Sequence, residues 1–206
     1  MPPIKQSLES VTNQLVLVNV VAFFLVQAFS PNHYTGLEMF GWHMPQHKPW
    51  QFLTAIFMHG GVSHLLFNMF ALWMFGRVLE RVWGKQRFLI FYIACGVGAG
   101  VIQQLIRTFI FNDSSPFVGV GASGAVYGLL VAFALLFPNF KLVLIFFPVP
   151  IAAKYFVPVL LIIDIVGGFT GHSIFGQNIG HFAHIGGAIM GFLLLQFWLI
   201  PSTRPK

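Results

Sequence analysis

GVGASGAVYGLLVAFALLF, residues 119–137, carries no charged side chain from one end to the other. A helix that is apolar on every side suits a bilayer, where about 20 such residues cross a hydrocarbon core roughly 30 Å thick. The pattern recurs along a chain of 206 residues that is 57% hydrophobic and 8% charged, against roughly 25% charged in a soluble domain. A soluble domain of this length exposes too much surface to hide that much apolar side chain. The fold class is therefore all-α: a polytopic membrane protein.

Other classes drop out on composition. A single cysteine, Cys95, excludes a disulfide framework and a cysteine-based zinc site. The formal charge of +6 does not form a basic stripe interleaved with aromatics, so no nucleic-acid partner is expected. The lysines and arginines fall instead between apolar runs, where membrane proteins carry them.

Six runs are long enough or apolar enough to span: 11–29, 62–82, 88–109, 120–137, 155–169 and 180–200. The fifth is short and carries Asp164. The opening MPPIKQSLES lacks the features of a cleaved signal, so the first span is expected to be retained. Residues 30–50, with two tryptophans, three histidines and three prolines, read as an interfacial loop. Residues 1–206 are expected to form one membrane domain. Nine of the 11 basic residues, from Lys5 through Arg77, Arg81, Lys85, Arg87, Lys141 and Lys154 to Arg204 and Lys206, fall on one side, leaving Lys48 and Arg107 on the other. Positive loops face the cytoplasm, which places both termini there.

With that topology spans two, four and six begin at the outer face, and their first turns hold the polar residues. These are His59, His64 and Asn68 before and in span two, Ser123 and Tyr127 in span four, and His181 and His184 in span six. His64 and Asn68 share a helical face, as do Ser123 and Tyr127. Gly124 with Gly128, and Gly180, Gly187, Ala188 and Gly191 around His184, would let two of these helices approach closely. A serine hydroxyl becomes a nucleophile when a base takes its proton, and His184 can be that base. Asn68, His64 and the Ser123 backbone can supply donors to a developing oxyanion. No acid lies near the outer start of these three spans, which favours a Ser-His dyad over a triad.

The motifs HGGVSHLLFNM (59–69), GVGASGAVYG (119–128) and HFAHIGGAIMG (181–191) resemble those of the rhomboid family of intramembrane serine proteases. The resemblance implies a six-transmembrane-helix rhomboid-like bundle. It implies Ser123 as nucleophile within GxSG, whose first glycine is Gly121, and His184 as base within AHxGG, which ends on Gly187. It also implies His64 and Asn68 as oxyanion donors, Tyr127 as the aromatic packed on the catalytic histidine, and span five with the following loop as a gate. Glu80 and Gly84 fit the end of the family's span-two pattern. The chain departs from it at Gln51, after Trp50, where the family often has arginine in a loop-stabilising role.

The expected reaction is hydrolysis of a peptide bond in or beside a transmembrane segment, in a wet cavity that opens outward and is lined by the histidines. The expected partners are transmembrane protein substrates and the lipid bilayer, with no cofactor, no obligatory soluble partner and no metal. A compact six-span chain favours a bacterial cytoplasmic membrane. Two other readings are weaker. His59, His64, His181 and His184 could form a metal or ion site, but no HExxH and no thiolate accompany them. A client-binding relative without proteolysis would be expected to have lost Ser123 or His184. For Asp164, a polar contact to a neighbouring helix or a mostly protonated acid is favoured over a gating role.

Overall fold

The computed structural model describes residues 9–30, 35–144, 147–171 and 180–196. Several expectations lie outside these residues: the uncleaved opening segment, part of the 30–50 loop, the loop after span five, and the end of span six with Arg204 and Lys206.

Apolar helices occupy all six expected stretches. Helix α1 is Val11–Phe29; a short α2, Gln51–Thr54, and a 3-10 turn precede α3, Val62–Trp83. Helix α4, Lys85–Leu105, continues into a π-helical turn at Ile106–Ile110. Then come α5, Ser123–Leu136, α6, Ala153–Thr170, and α7, His181–Leu194. Four of them, α1, α3, α6 and α4 with its extension, are long and apolar enough to cross a membrane. The chain is an all-α membrane bundle, with two small antiparallel ribbons between helices. One pairs β1, Met39–Phe40, with β2, Val118–Gly119; the other pairs β3, Lys141–Leu144, with β4, Phe147–Ala152.

Two helix boundaries differ from the sequence reading for identifiable reasons. Helix α4 starts at Lys85 because α3 and α4 are joined by Gly84 alone, at φ +79°, and exposed Lys85 and Arg87 can extend their charges away from the apolar body. Helix α5 starts at Ser123 and not at Val120. Val118 and Gly119 are held by β1, and Gly121, at φ +123°, donates its N–H to Ala55 O at 2.9 Å. With 14 residues α5 is about 21 Å long, shorter than the roughly 30 Å hydrocarbon core. Non-helical backbone at such depth must be covered by protein or face a water-filled cavity; the β1 pairing and Ala55 provide that cover on the Ser123 side.

Helix α5 is the centre of the bundle, with ten of its 14 residues buried, and α3, α4 and α7 pack around it. Helices α1 and α6 bury one stripe each, Thr12, Leu15, Asn19 and Phe23 on α1 and Ala153, Val157, Asp164 and Gly167 on α6. The tightest packing is between α5 and α7. A Cβ on Gly187 would stand 1.9 Å from Gly124 O, and one on Gly191 would stand 2.8 Å from Gly128 Cα. At the opposite end of α3, Glu80 caps α1: its carboxylate accepts from the Ser10 hydroxyl (2.7 Å), the Val11 N–H (2.8 Å), and the Thr12 N–H (2.9 Å) and hydroxyl (2.7 Å). An anion there meets both the unpaired N–H groups and the positive end of the helix dipole.

Two stability effects are expected, both read by thermal unfolding in detergent. Gly187→Ala forces α5 and α7 apart and should cost roughly 1–3 kcal/mol or more. Glu80→Ala leaves the buried start of α1 without its acceptor and should cost about 2–4 kcal/mol; a midpoint unchanged in either variant would contradict the corresponding contact.

Candidate active site

Ser123 is the first residue of α5 and is half-buried. The first main-chain bond of this helix runs from the Val126 N–H to Ala122 O, so the N–H groups of Ser123 and Gly124 have no partner within the helix. His64, from the first turn of α3, lies over the same point. A Cβ on Gly121 would stand 2.7 Å from His64 Cε1 and 3.8 Å from Ser123 Oγ. Only glycine leaves that space and accepts that φ. Asn68, one turn below His64, is buried and donates one amide N–H back to His64 O at 2.9 Å, which leaves its second N–H.

His184 reaches the site from α7 across the glycine seam: the position a Gly124 Cβ would take is 3.3 Å from Ala183 O, one residue before His184. The Tyr127 ring stacks on the His184 ring, centroids 4.2 Å apart and planes 9° from parallel. Among the described residues no hydrogen bond joins Ser123 Oγ to His184.

The residue the sequence reading did not bring to the site is Asp164. It is fully buried and accepts from His184 Nδ1 at 2.9 Å and from His181 Nδ1 at 2.7 Å, both through Oδ1, while the Tyr127 hydroxyl donates to Oδ2. No acid stands at the start of α3, α5 or α7, but α6 runs in the opposite direction. Asp164 lies six residues before its end, about 9 Å along the axis, at the level of the first turn of α7. Counting depth on all helices, not only on α3, α5 and α7, would have found it.

The four histidines do not form one cluster. His59 and His64 pair, ring centroids 5.2 Å apart, and His181 and His184 meet through Asp164. The donor atoms of Asp164, His181 and His184 lie within 4.8 Å of one another and are the group here that can approach a cation. Both Nδ1 atoms face Asp164 Oδ1 at hydrogen-bond distance, 2.7 Å for His181 and 2.9 Å for His184.

Two further side chains support this end of the molecule. Gln51, fully buried, fastens the loop it faces through four main-chain partners. Its Oε1 accepts from Lys48 N–H (3.0 Å) and Phe40 N–H (3.3 Å), and its Nε2 donates to Gly36 O (3.1 Å) and Gln46 O (3.0 Å). His59, in the turn before α3, is buried, and among the described residues neither ring nitrogen has a partner within hydrogen-bond geometry; burial, reinforced by His64 and partly offset by the Phe57 main chain, lowers its pKa from 6.5 to about 4. Its unfolded form binds a proton below pH 6.5 while the folded form does not until about pH 4. Stability should therefore fall by up to about 3 kcal/mol as pH drops through that window. His59→Gln should flatten this slope of unfolding midpoint against pH, and an undiminished slope would exclude His59 as its source.

A family model, the Rhomboid domain, matches residues 46–200. The chain is 35% identical over 198 residues to rhomboid protease GluP of Bacillus subtilis, covering 93% of this chain and 35% of that protein. It is 28% identical to rhomboid protease AarA of Providencia stuartii, covering 93% of this chain and 74% of that one. To the mitochondrial rhomboid protein 1 of Saccharomyces cerevisiae it is 30% identical, covering 83% and 52%. It thus spans about a third, three-quarters and half of these relatives. The matched segment carries all three motifs on a multi-pass bundle of apolar helices, and the chain belongs to the rhomboid family.

Proposed function

We propose that this chain is a single rhomboid membrane domain that hydrolyses peptide bonds in or beside the transmembrane segments of other membrane proteins. The observation that carries the reading is the convergence of three distant motifs at one end of the bundle: the His64 ring beside Gly121 and Ser123, and His184 stacked on Tyr127 across a seam too tight for a methyl group.

In this reading Ser123 Oγ attacks the scissile carbonyl and His184 takes its proton. The tetrahedral oxyanion is held by the Ser123 N–H, the His64 ring and the free amide N–H of Asn68. His184 then passes the proton to the leaving amine, and the acyl-enzyme is hydrolysed by water that His184 activates. The oxyanion donors sit at the positive end of α5, which favours the developing charge. No cofactor takes part.

The basic residues Arg77, Arg81, Lys85, Lys141 and Lys154 lie at the end of the bundle away from the site, which supports cytoplasmic termini and a site that opens outward. The relatives in Bacillus and Providencia favour a bacterial cytoplasmic membrane. A substrate helix hides its amides in its own hydrogen-bond ladder, so segments with small or helix-breaking residues near the cut are the expected substrates.

The purified chain in detergent, with a model transmembrane substrate and fluorophosphonate labelling, tests this. Ser123→Ala and His184→Ala should each lower kcat at least about 10³-fold, and labelling should require both residues. Cleavage that persists in Ser123→Ala would refute the nucleophile.

A further inference from the structure

Asp164 is an acid in a membrane helix with no lysine or arginine bonded to it among the described residues. Its three partners are the ring N–H groups of His181 and His184 and the Tyr127 hydroxyl, and each has a second contact or role at the site. An ionised carboxylate accepts and does not donate, so with Asp164 ionised each Nδ1 carries a proton, and a neutral His184 then has its lone pair on Nε2.

We infer that Asp164 is the positioning residue of the site, holding the His184 imidazole with Nδ1–H toward α6 and Nε2 free to receive the Ser123 proton. The inference rests on the Ser-His reading above and adds a third member to it. Tyr127 works from both sides, since its ring stacks on His184 and its hydroxyl fixes the carboxylate that holds the same imidazole. His181 occupies the remaining approach to Oδ1. Asp164 keeps its charge throughout. The serine proton moves to Nε2 and on to the leaving amine, and the carboxylate stabilises the imidazolium in between. A neutral amide in its place can turn its NH₂ toward Nδ1, which drives the ring proton to Nε2 and removes the base.

The full chain, reconstituted with a model transmembrane substrate and labelled with ¹⁵N-histidine, distinguishes this from a purely structural tie between helices. His184→Gln identifies the His184 signals. Wild-type His184 should show a protonated Nδ1 and an unprotonated Nε2, and Asp164→Asn should reverse them. Asp164→Asn should also lower kcat by roughly 10²–10⁴-fold with KM nearly unchanged, and Asp164→Glu should restore part of the loss. An Asp164→Asn enzyme with wild-type kcat and the same tautomer, beside an inactive Ser123→Ala, would overturn the role of Asp164 and leave the serine-protease reading intact. If Ser123→Ala were fully active, that reading would fall and this one with it. If Asp164→Asn does not fold, the wild-type spectrum decides alone, and an Nε2-protonated His184 overturns the inference.

Discussion

The close approach of α5 and α7 is the constraint on which the other features depend. Where Gly187 passes Gly124 the two main chains leave no room for a single methyl group, and van der Waals contact between backbones is what holds helices together when lipid offers no hydrophobic drive. Ser123 and His184 each lie within a turn of this crossing. Their proximity is therefore a property of the backbones, independent of side-chain rotamers. A longer side chain at the seam would separate the two residues and loosen the bundle at once, so here stability and geometry select the same small residues.

The second constraint is length. An α5 of 14 residues cannot reach across the hydrocarbon. The strand preceding Ser123 is bonded to β1, Gly121 is bonded to Ala55, and Gln51 fastens the loop that carries β1 with four hydrogen bonds. The loop between α1 and α3 is thus part of the scaffold of the site: it satisfies main chain that would otherwise lie unpaired in lipid. At the other end of the bundle Glu80 does the same for the start of α1.

Much of this was legible in the sequence because membrane helices announce themselves by composition. The six apolar stretches, the convergence of His64, Ser123 and His184, and the glycine faces all follow from charge-free length and a period of 3.6. What was hidden depends on three-dimensional partners. Nothing local distinguishes Val120 from the helix that follows it; its exclusion from α5 comes from a strand 80 residues earlier, at Met39–Phe40. Gln51 reads as the loss of an arginine until its four backbone partners are seen. Asp164 reads as an isolated acid because its partners are supplied by α5 and α7.

Asp164 also shows how a membrane protein can place a charge where charges are costly. An unpaired carboxylate at this depth would oppose insertion of α6, and α6 has little else to compensate, since apart from Asp164 it buries only Ala153, Val157 and Gly167. Three donors from two neighbouring helices satisfy the acid. The same three bonds give α6 its polar attachment to the bundle, and they fix the orientation of two imidazoles. The energetic requirement on the helix and the orientation of the His184 ring are met by one set of contacts. It follows that the seating of α6, the helix with the smallest buried stripe alongside α1, and the tautomer of His184 are not independent variables in this molecule.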